Sequence, residues 1–178
     1  IILITGIGGG VATAGLKIAH HFGCKVIVTS RHPHKLERAK SLGVSNGILD
    51  TGEEDWSGQV REMTEKRGVD IVLDSIGEAT HLSCIKSLSR GGTLVTPGCT
   101  SGAAPQTDLL RIFWNQLRIL GSTMGSNEEF TQVVSLFRNG VLRPVIDTVY
   151  DFSDAIMAYQ RLESGKQFGK IVIRFPEI

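Results

Sequence analysis

The sequence predicts an α/β fold with a doubly wound parallel sheet. Short apolar runs rich in β-branched residues alternate with segments whose apolar residues recur at helical spacing, which is typical of repeated strand–helix–strand units. A glycine-rich turn joins the first apolar run to the first helical segment, at the place where such folds bind phosphate groups. With 178 residues, the chain is long enough to bury the core of such a domain.

Six runs of the sequence are predicted to form the strands of this sheet. Most of them are apolar at nearly every position, which is typical of parallel strands buried on both faces. The strand order expected for a doubly wound sheet is 3-2-1-4-5-6, so the sixth strand lies at an edge. The six runs occupy residues 1–5, 25–30, 47–51, 69–75, 92–98 and 117–124, and the third is the weakest.

Helical segments are predicted between and after these strands. In the first of them, apolar residues recur at i, i+3, i+4, i+7 and i+8 from Val11 onward, so one face can pack against the sheet. Glycines follow several of these segments, as is common after a helix. The other segments lie at about 34–42, 53–67, 78–89, 106–116 and 127–139.

The glycine-rich turn reads Gly-Ile-Gly-Gly-Gly at residues 6–10. A helix that starts here offers unpaired N–H groups and a partial positive charge to a pyrophosphate, and glycine lets the backbone come close to the phosphates. The alternative is an ordinary strand–helix turn, which rarely needs so many glycines. We therefore predict a dinucleotide-binding turn with Gly9, Gly10 and Val11 as contacts.

Further segments extend this pattern along the chain. Together with Gly-Gly-Val-Ala at residues 9–12 they resemble, in the same order, the medium-chain dehydrogenase/reductase superfamily, in particular its zinc-type alcohol dehydrogenase-like and quinone oxidoreductase-like members. The resemblance implies a Rossmann-type nucleotide-binding domain. Ile7 departs from the superfamily pattern, which more often has a small residue there. The matching segments are SRHPHKLERAKSLGV at 30–44, GVDIVLDSIG at 68–77, LSRGGTLVTPG at 88–98, LRILGSTMGS at 117–126 and ESGKQFGKIVI at 163–173.

From Pro144 onward the pattern changes to a strand, a short helix and a last strand at 169–175. Ser153 is predicted to cap the helix, with Ile156, Tyr159 and Leu162 facing inward.

The resemblance implies two parts of the chain. Residues 1–143 would form the NADP-binding Rossmann domain, and residues 144–178 a C-terminal segment of a GroES-like catalytic domain, whose first part precedes the nucleotide domain in the superfamily. Because the sequence opens at Ile1 inside a strand-like run, we expect it to be part of a longer protein.

The end of the second strand predicts the cofactor. An acidic residue about 20 residues beyond the turn binds the ribose of NAD, but this chain has Ser30 and Arg31 there. A hydroxyl and a guanidinium would bind a 2′-phosphate, and Lys35 could add a second positive charge. The alternative is that Arg31 is a solvated loop arginine. We predict NADP(H), and the missing acid also argues against an S-adenosylmethionine methyltransferase. His32 and His34 are predicted to face solvent.

Other cofactor contacts are expected at the carboxyl ends of the strands, where ligands bind in open α/β sheets. The resemblance implies that the ends of the fifth and sixth strands lie beside the nicotinamide and that Lys170 lies near the pyrophosphate. Cys99 is interpreted as a small residue rather than a reactive thiol. The predicted residues are Gly77, Gly98, Cys99, Gly121, Ser122 and Thr123.

No catalytic residue and no metal ligand is predicted in this chain. Its histidines, cysteines and acids do not have the spacing of a zinc site. Asp70 and Asp74 flank a strand and are expected to cap or orient backbone. Three widely spaced cysteines favour a reducing, cytoplasmic location. A net charge of +1 gives no basis for nucleic-acid binding, and no apolar run approaches the roughly 20 residues of a membrane span.

Two hypotheses for function follow. In the first, a longer enzyme transfers hydride between NADPH and a carbonyl or an activated C=C bond, and this chain, inactive alone, binds the cofactor. In the second, the chain is a non-catalytic module that senses NADP(H). The substrate cannot be read from these residues.

A homodimer through the edge strand at about 118–124 is also predicted. The strand has no proline and no lysine or glutamate to discourage pairing, and the resemblance implies such dimers. The helix before it is rich in large apolar residues. The alternative is that Phe113 and Trp114 fill the core of a monomer.

Overall fold

The computed structural model describes residues 1–176 and contains a six-stranded sheet and a two-stranded sheet. In the larger sheet every neighbouring pair is parallel, and the order is β3-β2-β1-β4-β5-β6. The predicted fold class and strand order are therefore confirmed. The strands are β1 (Ile2–Ile4), β2 (Val26–Ser30), β3 (Asn46–Leu49), β4 (Val69–Leu73), β5 (Leu88–Thr96) and β6 (Arg118–Gly121).

Six helices connect or follow these strands, as predicted, but several are shorter than the sequence pattern suggests. The third was predicted over 53–67 and covers seven residues, because Glu65 and Lys66 adopt left-handed conformations that end it. The sixth begins with a capping box between Ser126 and Glu129. The helices are α1 (Gly10–His21), α2 (Pro33–Lys40), α3 (Ser57–Met63), α4 (His81–Ser87), α5 (Leu109–Asn115) and α6 (Asn127–Arg138).

The sheet separates two layers of apolar side chains. Successive strand residues point to opposite faces, so Leu3 packs with Trp56 and Ile85 on one face, while Ile4 packs with Leu16 and its neighbours on the other. This double coverage is why the strands of the sequence are apolar at nearly every position.

The edge of the sheet at β6 is uncovered. All four residues of β6 are exposed, and Phe113 and Trp114 of α5 are 72% and 68% exposed. The alternative that Phe113 and Trp114 fill the core of the monomer is therefore wrong for this chain.

Beyond α6 the chain forms β7 (Ile146–Asp151), a 3₁₀ turn (Phe152–Asp154), α7 (Ala155–Glu163) and β8 (Lys170–Arg174). The strands β7 and β8 pair in parallel, so this segment is a single strand–helix–strand unit. The predicted cap at Ser153 is wrong, because Ser153 lies inside the 3₁₀ turn and α7 begins two residues later.

The expectation that Ile156, Tyr159 and Leu162 face inward is also wrong, since their side chains are more than half exposed. A two-stranded sheet offers too little surface to cover a whole helix face, and α7 buries only Ala158.

The C-terminal unit is anchored on the larger sheet through Phe168. Its side chain is 1% exposed and belongs to the same apolar cluster as Ile4, Ile7 and Ala39. The assignment of residues 144–178 to a separate domain stays a prediction, but this part of the chain is packed against the first.

Candidate cofactor-binding site

The glycine turn lies at the carboxyl end of β1, in the middle of the sheet. Ile7 donates its N–H to the carbonyl of Thr29 at 2.8 Å, and its side chain is buried beneath the turn. The bulky residue that departs from the superfamily pattern therefore fills the core, and the backbone around it forms the surface of the turn.

The position of Gly8 in this turn has no room for a side chain. Its φ is +108°, which side-chain-bearing residues rarely adopt. A Cβ at this position would lie 2.8 Å from Cδ of Lys35 and 3.3 Å from the ring of Phe168. The turn therefore needs glycine here because two side chains close over it.

The N-terminus of α1 faces the carboxyl edge of the sheet. Gly9 is the N-cap residue, and no side chain caps this helix. The first N–H groups of α1 thus lack the intrahelical acceptors that later residues have. Gly10 and Val11 form the first turn, and Val11 is exposed. This arrangement can accept the oxygens of a phosphate.

Lys170, at the start of β8, reaches the same point. Its Nζ lies 3.4 Å from the position that a Cβ on Gly10 would occupy. A cation at the positive end of a helix is unfavourable by itself, whereas an anion placed between the two would be attracted by both. The geometry thus suits a bound pyrophosphate.

The carboxyl end of β2 carries Ser30 and Arg31 beside the turn. Ser30 is buried, and its Oγ accepts the N–H of His32 at 3.1 Å, whereas Arg31 is exposed. His34 is exposed as predicted, but His32 is half-buried. Burial, and then the charge of Lys35, lower the pKa of His32 below its ordinary value.

The ammonium of Lys35, the suggested second positive charge for a 2′-phosphate, is already hydrogen-bonded within the chain. Its side chain is buried, and its Nζ donates to the carbonyl of Gly165 at 2.5 Å. Burial lowers the pKa of Lys35, and the neighbouring Arg31 lowers it further. The side chain of Lys35 lies across Gly8, and its ammonium is bound by the C-terminal unit. A role of Lys35 in binding a 2′-phosphate stays a prediction.

The loops after β4 and β5 are joined by backbone hydrogen bonds. Ser101 donates its N–H to the carbonyl of Ile76 at 2.8 Å. Gly77 fits between the loops, since a Cβ there would lie 2.7 Å from the carbonyl oxygen of Gly102 and 2.9 Å from Cα of Cys99. The structure therefore brings the predicted residues Gly77, Gly98 and Cys99 together, with Cys99 exposed.

The end of β6 continues this edge of the sheet. Ser122 donates its N–H to the carbonyl of Thr96 at 3.1 Å, and Gly121, Ser122 and Thr123 are exposed. The strand ends at Gly121, so the predicted range of 118–124 runs three residues too far. The ligand contacts of these residues stay predictions.

Asp74 fixes the first of these loops to β1. Its buried carboxylate accepts hydrogen bonds from the hydroxyls of Thr5 and Thr80 at 2.6 and 2.9 Å and from the N–H groups of Ile76 and Gly77 at 3.1 and 3.3 Å. The expectation that Asp74 orients backbone is confirmed.

Two further residues of the site region were missed by sequence reasoning. Phe168 packs against the turn, and the carboxylate of Asp147 accepts the N–H of Phe168. No local pattern marks either one, because each contacts residues more than 100 positions away.

Among residues 1–176, no group of three or more histidine, cysteine, aspartate or glutamate side chains could hold a metal ion. Within the same residues, no helix is long and apolar enough to cross a membrane.

Comparison with known proteins relates the chain to dehydrogenases. Residues 10–139 match a family model described as zinc-binding dehydrogenase. The zinc-type alcohol dehydrogenase-like protein YogA of Leptosphaeria maculans is 30% identical over 179 residues. An NAD-dependent alcohol dehydrogenase of Sulfolobus acidocaldarius is 30% identical over 175 residues. Each alignment covers 97% of this chain and 50% of the relative.

A solved structure has a similar fold. The crystal structure of an NAD-dependent alcohol dehydrogenase superposes with a TM-score of 0.88 at 34% identity, covering 97% of this chain and 50% of that one. The chain therefore spans about half the length of the relatives it matches.

Proposed function

The chain belongs to the zinc-binding dehydrogenase family, and from this premise we propose that it is the NADP(H)-binding part of an oxidoreductase. The cofactor would supply or accept a hydride, and the residues of this chain would bind and orient it. We further propose that the longer protein acts on a carbonyl or an activated C=C bond, with the reacting groups contributed by a catalytic domain outside these residues.

The glycine turn supports the cofactor assignment. The uncapped N-terminus of α1 and the ammonium of Lys170 offer two positive ends to one pyrophosphate. Gly77, Cys99 and Thr123 lie on the loops farther along the same edge, where the nicotinamide half would extend. A zinc ion does not fit the described residues in the same way, since they contain no cluster of ligands, and we assign no step to zinc in this chain.

The choice of NADP(H) over NAD(H) depends on one observation. The carboxyl end of β2 carries the hydroxyl of Ser30 and the exposed guanidinium of Arg31 in place of an acid. A carboxylate there would repel a 2′-phosphate, whereas a guanidinium can bind it in a bidentate manner. Lys35 could join Arg31 only after its hydrogen bond to Gly165 breaks.

Titration of the chain with NADPH and NADH tests this choice directly. We expect NADPH to bind about ten- to hundredfold more tightly, since a hydrogen bond to a charged group contributes roughly 1.5–3 kcal/mol. Arg31→Ala should remove most of this preference. Arg90→Ala removes an exposed arginine near the start of β5 and should leave the preference unchanged. Equal affinity of the unmodified chain for the two nucleotides would contradict the proposal.

We also propose a homodimer formed through the uncovered edge at β6. The exposed apolar side chains of α5 and the unpaired backbone of β6 would be covered together by a twofold interface.

A further inference from the structure

Asp147, in β7, is a buried carboxylate outside the residues assigned to the cofactor so far. Its side chain is 1% exposed. It accepts hydrogen bonds from Nε of Arg161 at 2.5 Å, from the N–H of Phe168 at 2.9 Å and from the hydroxyl of Thr148 at 2.8 Å. The guanidinium of Arg38 lies 3.5 Å away. Asp147 therefore connects α2, α7 and the segment before β8.

The carboxylate is held in its ionised form. The hydrogen bond from Arg161 lowers the pKa of Asp147, and the N–H of Phe168 and the hydroxyl of Thr148 lower it further, which outweighs the opposing effect of burial. A buried charge of this kind is costly to leave without its partners, so these donors are held firmly in place.

One of these donors, the N–H of Phe168, belongs to a segment that contacts the glycine turn. The residue after Phe168 is Gly169, whose N–H donates to the carbonyl of Gly8 at 2.8 Å. The next residue is Lys170, whose ammonium lies over Gly10. Three consecutive residues thus join the carboxylate of Asp147, the turn and the cation at the N-terminus of α1.

The side chain of Phe168 packs this segment against the turn and against Arg38. It lies 3.3 Å from the position of a Cβ on Gly8, and the guanidinium of Arg38 stacks over its ring at 5.0 Å. Arg38 therefore contacts both Phe168 and Asp147. The backbone of residues 168–170 has little room to shift while these contacts are intact.

We propose that Asp147 is a positioning residue for the cofactor. By holding residues 168–170 it keeps Gly169 bonded to Gly8 and keeps Lys170 over the N-terminus of α1. This inference rests on the proposed function, in which that point binds the pyrophosphate. Because NADP(H) and NAD(H) share the pyrophosphate, Asp147 acts on both nucleotides to the same extent, unlike Arg31.

Asp147→Asn in the full chain tests the inference, because asparagine keeps the size of the side chain and removes its charge. Calorimetric titrations with NADPH and with NADH are made at a temperature where circular dichroism shows the variant to be folded. We expect both dissociation constants to rise by roughly 3- to 30-fold, with the ratio between the two nucleotides unchanged within about twofold. A residue that only stabilised the fold would lower the melting temperature without changing either constant.

Asp151→Asn is the matched control, since Asp151 lies on the same strand in an exposed ion pair with Arg174 at 3.7 Å. Neither dissociation constant should change in this variant. Hydrogen exchange should also show faster exchange of residues 165–170 in Asp147→Asn than in Asp151→Asn.

Arg161→Lys provides a second variant if Asp147→Asn does not fold. It removes the hydrogen bond at Nε and should raise the dissociation constants for both nucleotides. Unchanged dissociation constants for both nucleotides in the folded variant overturn the inference and leave the proposed function intact. If the unmodified chain binds neither nucleotide, the proposed function itself fails.

Discussion

At Gly77, the loop after β4 passes so close to the loop after β5 that no side chain fits. The φ of Gly77 is +90°, and the atoms that a Cβ would meet first belong to the backbone of Gly102 and Cys99 rather than to a movable side chain. Relief would require one of the two loops to move, and both lie on the edge assigned to the nicotinamide.

Gly77→Ala is therefore expected to destabilise the chain by about 1–3 kcal/mol, the usual cost of a strained backbone conformation. Urea unfolding monitored by circular dichroism measures the change. Gly58→Ala serves as a control of opposite sign, because Gly58 lies in α3 with nothing within 4 Å of its Cβ position. Alanine there should stabilise the helix by roughly 0.5–1 kcal/mol. Equal stability of Gly77→Ala and the unmodified chain would show that the loops separate easily.

Between elements, Asp55 joins the start of α3 to α4. Its carboxylate accepts hydrogen bonds from Nζ of Lys86 at 2.8 Å, from the hydroxyl of Ser83 at 2.9 Å and from the N–H of Ser57 at 2.9 Å. Burial alone would raise the pKa of Asp55, but the hydrogen bonds from Lys86, Ser57 and Ser83 outweigh it and hold the pKa well below its ordinary value.

The sign of the pH dependence follows from this lowered pKa. The stabilisation is fully present above the pKa of the unfolded chain, about 3.9, and is lost as the pH falls toward the folded-state value. Since the side chain is 41% exposed, solvent screens the pair and the contribution at pH 7 is no more than about 1 kcal/mol.

Asp55→Asn should thus lower the free energy of unfolding at pH 7 and flatten its decline in acid. Denaturant unfolding at several pH values from 7 to about 3 measures both effects, and added salt should reduce the difference. Glu37→Gln, which breaks an exposed pair with Lys40 within α2, is expected to change little. A variant whose acid dependence parallels that of the unmodified chain would rule out this role for Asp55.

For the whole molecule, the β6 edge is where the proposed homodimer would form. Ser122 directs its N–H toward β5, and alternate residues of a strand point their backbone groups to opposite sides. The N–H of Leu120 therefore points toward β5. The N–H groups of Ile119 and Gly121 point away from the sheet, where a second β6 could pair with them.

Ile119→Pro should abolish the proposed homodimer while leaving the pairing of β5 with β6 intact, because proline is tolerated where an edge N–H faces solvent. Sedimentation velocity at micromolar concentration measures the change. Leu120→Pro is the comparison, since it removes an internal hydrogen bond and should also lower stability. A monomeric unmodified chain, or a dimer that persists in folded Ile119→Pro, would contradict the interface.

The sequence by itself determined the sheet and the position of the glycine-rich turn. Apolar runs and helical periods depend on neighbours within about a dozen residues, so the order of elements was readable from Ile1 to the end of α6. The capping residues of α6 lie three positions apart and are local for the same reason. The doubly wound class then supplied the strand order, which the structure confirms.

Only the tertiary structure decided how the C-terminal unit meets the turn. The spacing of Lys35 suggested a second positive charge for a 2′-phosphate, but its ammonium binds the carbonyl of Gly165, 130 residues away. Phe168 is buried beside Ile7, and Ile156 is exposed although its helical spacing predicted the reverse. Periodicity shows that a face is apolar without showing what covers it, because the covering surface comes from a distant part of the chain. The contacts that complete this candidate site are therefore set by packing between elements.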